Sequence, residues 1–353
     1  MTSRAHFDQR GGQEGVGGRL CLVTGGAGFI GSHLCRALLE RGEAVRVVDD
    51  FSSGRRERVD SRSDLIEGSI LDEGVLARAM VGVEVVFHLA AMVSVPMSVS
   101  DPERCAKINI GGTQNVLEAA RRAGVGRVIF ASSAAVYGDQ PVLPSQESHA
   151  PAPCSPYAAS KAAGEMLLKA YCACYPMSGA SLRYFNIFGE GQDSSSPYAA
   201  VVGRFAEALR TGAELTLYGD GRQTRDFTHV QNVVRANLLA SDLSAPMRGE
   251  IFNIGTGVRT SLRELLGLMG EILGVTPRAR PGPDRPGDVR DSVADVGVAR
   301  AVLGYRPVVD LRDGLMRMLS QAGPGEAGEQ GSASVGGVSV MGRTPTPGGR
   351  EKP

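Results

Sequence analysis

The chain of 353 residues carries 38 basic and 38 acidic side chains and is 42% hydrophobic. Such a length suits one large α/β unit or two lobes sharing a cleft, and the charge balance excludes a global field drawing the protein toward nucleic acid. No apolar run approaches the roughly 20 residues that cross a bilayer, so no membrane partner is expected.

Residues 1–18 are Gly-rich and polar, without the apolar core of a signal peptide, and read as a disordered leader. The apolar run Leu20-Cys21-Leu22-Val23-Thr24 then enters Thr24-Gly25-Gly26-Ala27-Gly28-Phe29-Ile30-Gly31, and a helical pattern continues to Leu39. Glycines at 25, 28 and 31 permit a tight turn, close approach of a pyrophosphate, and tight helix packing. A second strand, Ala44-Val45-Arg46-Val47-Val48, ends at Asp49, 18 residues beyond Gly31, where an acid accepts hydrogen bonds from a ribose diol. Together these features predict a dinucleotide site, and the carboxylate favours NAD over NADP. Arg55 and Arg56 read as solvated loop charges.

Further strands are expected at Val85-Val86-Phe87-His88-Leu89, at Arg127-Val128-Ile129-Phe130 and over 180–185, with helices near 72–81, 103–124 and 157–175. Alternating strands and helices predict an α/β fold, a Rossmann-like doubly wound parallel sheet. Beyond about residue 190 the pattern loosens: helices near 198–212, 230–243 and 261–273 flank a strand at 250–254. The expected organisation is an NAD-binding domain over 19–190, a smaller and mainly substrate-binding α/β lobe over 191–320, and a disordered tail over 321–353, rich in Gly, Ser, Pro and Glu.

The six cysteines have neither disulfide-framework nor zinc spacing, and a reducing cytoplasm is the expected compartment. Cys21 and Cys35 fall on apolar faces, and Cys172 and Cys174 do not face one another. The five histidines suggest no metal site: His33 and His229 fall at helix starts or turns, His88 at the core edge, and His6 and His149 in solvent.

Chemistry is concentrated in two segments. In Ser155-Pro156-Tyr157-Ala158-Ala159-Ser160-Lys161, one helical turn brings Tyr157 and Lys161 to one face, where an ammonium lowers the pKa of a phenol. In Ala131-Ser132-Ser133-Ala134-Ala135-Val136-Tyr137-Gly138, hydroxyls emerge from a strand at the sheet edge expected to hold a nicotinamide, although either serine could simply cap the next segment.

In the order and spacing of these motifs, residues 19–318 resemble the extended short-chain dehydrogenase/reductases, specifically the NAD-dependent sugar epimerase/dehydratase family and its UDP-hexose 4-epimerases. The resemblance implies an NAD site of Gly25, Gly28, Phe29, Ile30, Gly31, Asp49, Ile70, Leu89, Ala90 and Ala91, with Tyr157 and Lys161. It implies catalysis by Ser133, Tyr157 and Lys161. It also implies a UDP-sugar held by Ser94, Ser133, Asn186, Ala200, Tyr218, Arg225, Arg285 and Ser292. In that reaction Tyr157 takes the 4-hydroxyl proton while C4 is oxidised, and reduction on the other face inverts C4.

Relatives that dehydrate or decarboxylate carry an acid where this chain has Ala134 and Ala135, so epimerisation is favoured over a dehydratase or reductase, and the intact Ser133, Tyr157 and Lys161 favour it over a non-catalytic NAD-sensing scaffold. Ser292, where epimerases restricted to plain hexoses carry tyrosine, and the small Ala200 imply a pocket roomy enough for N-acetylated sugars. Ser69, Gly203 and Asp291 depart from the family pattern. Residues 103–123 and 157–175 carry enough apolar surface for a homodimer interface.

Overall fold

A computed structural model describes residues 18–192, 201–283 and 289–321. The expected leader and tail lie almost wholly outside these residues, as do Ala200 and Arg285. In chain order the first half contains β1 (Leu20–Thr24), α1 (Phe29–Glu40), β2 (Ala44–Asp49), β3 (Asp64–Glu67), α2 (Glu73–Ala79) and β4 (Val85–His88). It continues through α3 (Val95–Ser100), α4 (Pro102–Ala106), α5 (Gly112–Ala123), β5 (Arg127–Ser133), α6 (Pro156–Cys174) and β6 (Ser178–Tyr184). Then come β7 (Ile187–Phe188), α7 (Val201–Thr211), β8 (Leu215–Tyr218), β9 (Thr224–Arg225), β10 (Thr228–His229) and α8 (Val230–Asp242). The last elements are β11 (Arg248–Ile254), β12 (Thr260–Ser261), α9 (Leu262–Leu273), β13 (Ala279–Gly282), α10 (Gly297–Leu303) and α11 (Leu311–Gln321).

Seven parallel strands form the central sheet in the order β11-β6-β5-β4-β1-β2-β3. Strand order reverses at β1, so the crevice beyond the C-terminal ends of β1 and β4 is the switch point where such sheets bind ligands. Both sheet faces are dry because successive side chains alternate between them. Cys21, Val23, Val47 and Phe87 pack with Leu34 and Leu38 of α1 and Val233 of α8. Leu22, Val48, Val86 and Val128 pack on the other side with Leu76 of α2, Leu117 of α5 and Leu168 of α6. A separate core of Phe205, Leu209, Leu215, Phe227, Leu265 and Leu315 holds the C-terminal elements together. The chain nevertheless returns to the sheet, since β11 is its edge strand beside β6.

Several expectations need correction. The helix expected over 103–124 is three pieces: α4, a π-helical stretch from Lys107 to Gly111, and α5. The Gly111-Gly112 pair lies at that change of winding, and such bulges turn one side chain, here Asn109, inward. The short β3, β8 and β13 and the helices α3, α10 and α11 escaped the apolar patterning. His88 is not at the core edge but 1% exposed. His149 is half-buried, its ring edge-on to Tyr137, rather than solvated.

Candidate active site

The glycine loop and the end of β4 touch. Gly25 sits at φ +73°, and a Cβ there would stand 2.7 Å from the Ala90 nitrogen, so only glycine allows the two segments to line one crevice. Leu89 and Ala90 donate their backbone N–H groups to the Thr24 carbonyl (3.1 Å) and hydroxyl (3.3 Å). No side chain caps α1, whose first turn carries no acid, leaving its N-terminal amides and dipole for an anion. Asp49 accepts one backbone N–H on each oxygen, from Ala27 and Phe51, both at 2.9 Å. A carboxylate has about four acceptor directions, so two remain for a ribose diol. Phe51, held in this turn, is in the left-handed region at φ +54°, strain placed beside the acid. Unpartnered helix amides, a glycine-only approach and spare acceptors fit NAD. Ile70 is buried, and Arg56 is exposed and paired with Glu67.

Tyr157 is the second residue of α6, capped by Ser155, whose hydroxyl accepts from Ala158 N–H at 3.1 Å. The Tyr157 amide donates to Ser98 of α3 at 3.1 Å, which brings the Ser94 segment against the start of α6. Ser94 itself caps α3. Ser133 does two things: its oxygen accepts from Ala135 N–H at 3.1 Å, the capping foreseen for it, and its hydroxyl favours the ionised form of the Tyr157 phenol. Lys161 is 4% exposed and donates to the Ala131 carbonyl at 2.8 Å, with its ammonium 5.0 Å from the Phe130 ring centroid. Burial pushes Lys161 down to about 8 and pushes the phenol up, Ser133 opposing the latter. Lys161 is not among the groups lowering the phenol, so the helical spacing alone does not make Tyr157 a phenolate.

Residues that the motifs did not point to hold this group from behind. Thr113 donates to the Asn109 carbonyl at 2.6 Å and therefore accepts from His88 Nε2–H at 3.0 Å; His88 Nδ1 then accepts from the Thr24 hydroxyl at 2.7 Å. Asn109 bonds both backbone groups of Met92 and donates to Ser160 at 2.9 Å, and Ser160 donates to the Tyr157 carbonyl at 2.7 Å. A buried polar chain thus runs from the end of β1 to the start of α6. One turn beyond Lys161, Glu165 is bound by Arg183 through two bonds of 2.8 and 2.7 Å and by the Ser132 hydroxyl. The signal for Asn109 was the double glycine interrupting a helical pattern; for Glu165 and Arg183 it was charge at positions that face the sheet.

The sugar-side candidates come together through very short strands. Asn186, at φ +29°, lies two residues beyond Tyr184, the register partner of Ser133, so the sheet delivers both to one edge. Its carbonyl accepts from Thr228 N–H at 3.2 Å. Arg225 donates to the Thr224 and Arg290 carbonyls at 2.9 and 3.1 Å, and Ser292 N–H donates to the Thr224 carbonyl at 3.1 Å. Tyr218 ends β8 and accepts from Gln223 at its carbonyl. Asp226, fully buried, accepts from Thr256 N–H, the Thr256 hydroxyl, Gly257 N–H and Ala294 N–H at 2.6–3.2 Å, which ties β9 to two distant loops. Asp291 accepts from Thr224 at 2.5 Å.

A tyrosine on the helix that follows β5, set beside a dinucleotide crevice at the switch point, is the arrangement of the extended short-chain dehydrogenase/reductases. Residues 21–255 match the NAD dependent epimerase/dehydratase family, and the chain belongs to it. It is 41% identical over 305 residues to the UDP-glucose 4-epimerase of Mycolicibacterium smegmatis, covering 84% of this chain and 96% of that protein. The crystal structure of Thermotoga maritima UDP-glucose 4-epimerase with UDP-glucose superposes with a TM-score of 0.82 at 41% identity, covering 85% of this chain and 97% of the other. The UDP-N-acetylglucosamine 4-epimerase of Methanobrevibacter ruminantium M1, in complex with UDP-N-acetylmuramic acid, gives 0.82 at 35% identity over 86% and 97%.

Proposed function

We propose that this protein is an NAD-dependent UDP-hexose 4-epimerase, interconverting the C4 epimers UDP-glucose and UDP-galactose and their N-acetylated counterparts. The observation that carries the reading is Tyr157 at the start of α6, with Ser133 ending β5 and lowering its phenol, and with Ala134 and Ala135 opening the 3-10 turn that follows. A dehydratase needs a further acid and base for elimination. The buried carboxylate of this region, Glu165, is committed to Arg183 and Ser132 and cannot serve as one.

NAD would be held by the glycine loop of Gly25 and Gly28 with the amides of Phe29–Gly31, by Asp49, and by the segment from Leu89 to Ala91, with Lys161 on the nicotinamide ribose. When bound, its nicotinamide supplies the redox chemistry of a transient oxidation at C4. The chain's own part is proton handling and orientation. Tyr157 holds the proton of the sugar 4-oxygen and Ser133 hydrogen-bonds the same oxygen. Because burial raises the phenol, Lys161 and the cationic ring must together offset that rise before the proton can be taken. Asn186 and Arg225 would meet the diphosphate, Tyr218 would flank the uracil, and Ser94 and Ser292 would line the sugar; Arg285 and Ala200, implied for the same roles by the resemblance, lie outside the described residues.

Arg225 stands on β9 against Ser292's segment, which supports a shared subsite. The small side chain of Ser292 supports acceptance of an N-acetyl group. The exposed Met166 of α6 and Val99 of α3 support a homodimer face on these helices. Six unpaired thiols support a reducing, cytoplasmic setting, and no helix among the described residues is long and apolar enough to cross a membrane.

Purified protein incubated with each of the four UDP-sugars, with products identified by NMR, tests the reading. The expected outcome is a C4 epimer with no net change in NADH absorbance. A stable keto or deoxy sugar would sink it.

A further inference from the structure

The turn after β7 is gripped from three directions. Gly189 has φ +152° and a Cβ there would meet Val230 at 2.7 Å, while Gly191 has φ +77°, so the chain reverses here only with glycine. The reversal is closed by Gln192 N–H donating to the Gly189 carbonyl at 3.3 Å. Between the glycines, the Glu190 carbonyl accepts from His33 Nε2–H of α1 at 2.9 Å. The Glu190 carboxylate accepts from His229 Nε2–H at 2.9 Å; His229 Nδ1 accepts from Gln231 N–H, which leaves the proton on Nε2. The Gly191 carbonyl accepts from Arg58 at 2.6 Å.

These three basic side chains belong to different parts of the site. His33 is one turn beyond Phe29 of the glycine loop and its ring packs edge-on to Phe29, with centroids 5.7 Å apart. Arg58 ends the 3-10 helix Arg56–Arg58 that follows the Asp49 turn. His229 is fully buried, follows Arg225 by four residues, and is the register partner of Phe188, whose ring it meets edge-on at 5.4 Å. The gripped turn directly follows Asn186, Ile187 and Phe188. A shift of the glycine loop or of the Asp49 turn therefore cannot leave β7 and Asn186 in place without breaking a bond to Glu190 or Gly191.

We propose that His33, Arg58 and His229, acting on the Glu190–Gly191 turn, are positioning residues that lock the sugar-side strand β7 to the NAD-binding segments, so that NAD retention and nucleotide affinity are coupled through this turn. The inference rests on the proposed function for its substrate probes.

The test uses full-length protein and the variants His33→Ala, Arg58→Ala, Glu190→Ala and Glu190→Gln. For each, NAD carried through gel filtration, UDP affinity by calorimetry on NAD-loaded protein, and kcat and KM for UDP-glucose are measured. His33→Ala and Glu190→Ala are expected to weaken UDP binding and raise KM about tenfold, to carry less NAD, and to keep kcat within about threefold. Glu190→Gln, whose amide oxygen still accepts from His229, should stay within about twofold of wild type. The double variant His33→Ala/Glu190→Ala should lose less than the product of the single losses, as residues in one network do.

UDP affinity and NAD content unchanged in folded variants overturn the proposal. Should a histidine variant fail to fold, Arg58→Ala, on a more exposed group, decides by the same readouts. A wild type that binds NAD and UDP without epimerising removes the functional reading and leaves the lock to be judged on UDP affinity alone; a wild type that binds no UDP overturns both.

Discussion

The NAD-side half and the sugar-side half of this molecule are built on different principles. Gly25, Asp49, Leu89 and Ser133 all stand at or just past the ends of strands of four to seven residues in one parallel sheet. Sheet geometry then delivers them to one edge. Arg225, Ser292 and Asn186 are placed instead by the two-residue strands β7, β9, β10 and β12, and by pairings such as Thr224 with Asp291, 67 residues apart. A local rule places the first set, while a web of long-range polar bonds places the second. In the proposed function the reacting groups thus fall on the sheet side, and substrate choice falls where small changes of loop or side chain are tolerated.

The sharpest test of that division is Tyr157→Phe. Loss of the proton-handling group should lower kcat about a thousandfold while NAD content and UDP affinity stay near wild type; activity within tenfold of wild type would shift the chemistry to another residue. Next in size is Glu165→Leu, which strands Arg183 as an unpaired buried charge under the sheet edge. Denaturant unfolding should show about 3–5 kcal/mol lost, and the double variant Glu165→Leu/Arg183→Leu should recover much of it.

On the sugar side, Asp226→Asn presents an NH2 group or a weakened acceptor to four donors. It should cost about 2–3 kcal/mol and raise KM for UDP-glucose, with NAD content unchanged, because Asp226 makes none of the bonds that tie the Glu190 turn to the NAD-binding segments. Loss of NAD in this variant would extend the coupling beyond that turn.

The smallest effect is a pH slope on the NAD side. Burial pushes His88 down to about 3 from its ordinary 6.5. Between those values the unfolded chain binds a proton that the folded chain does not, so stability rises with pH and is lost on acidification. From pH 6.5 to 5 that loss is about 2 kcal/mol. In His88→Gln the wild-type-minus-variant difference in unfolding free energy should flatten across this window; an unchanged slope would assign acid sensitivity elsewhere.

Much of the NAD-side half was legible beforehand because apolar strands, a glycine trio and an acid follow rules of spacing. Tyr157 and Lys161 do stand one helical turn apart, yet burial pushes the phenol up, because spacing reports direction and not desolvation. The break within 103–124 had one sequence signal, the Gly111-Gly112 pair, while each piece keeps a helical composition, and the packing of Asn109 between Met92 and Ser160 accounts for it. His229 was assigned to a helix start, which is where it lies, capping α8. Its bond to Glu190 could not be foreseen, since the partners are 39 residues apart.

By itself the sequence determined the parallel α/β architecture, the glycine loop with Asp49, and the serine, tyrosine and lysine at one sheet edge. These are consequences of periodicity and covalent reach, which act within a few residues. Tertiary structure alone decided that β11 returns to the sheet, that His88 is neutral in the core, and that Asp226 and the Glu190 turn knit the sugar side together. Those outcomes depend on which distant donors and acceptors are buried side by side, a matter of desolvation and long-range packing that spacing along the chain does not encode.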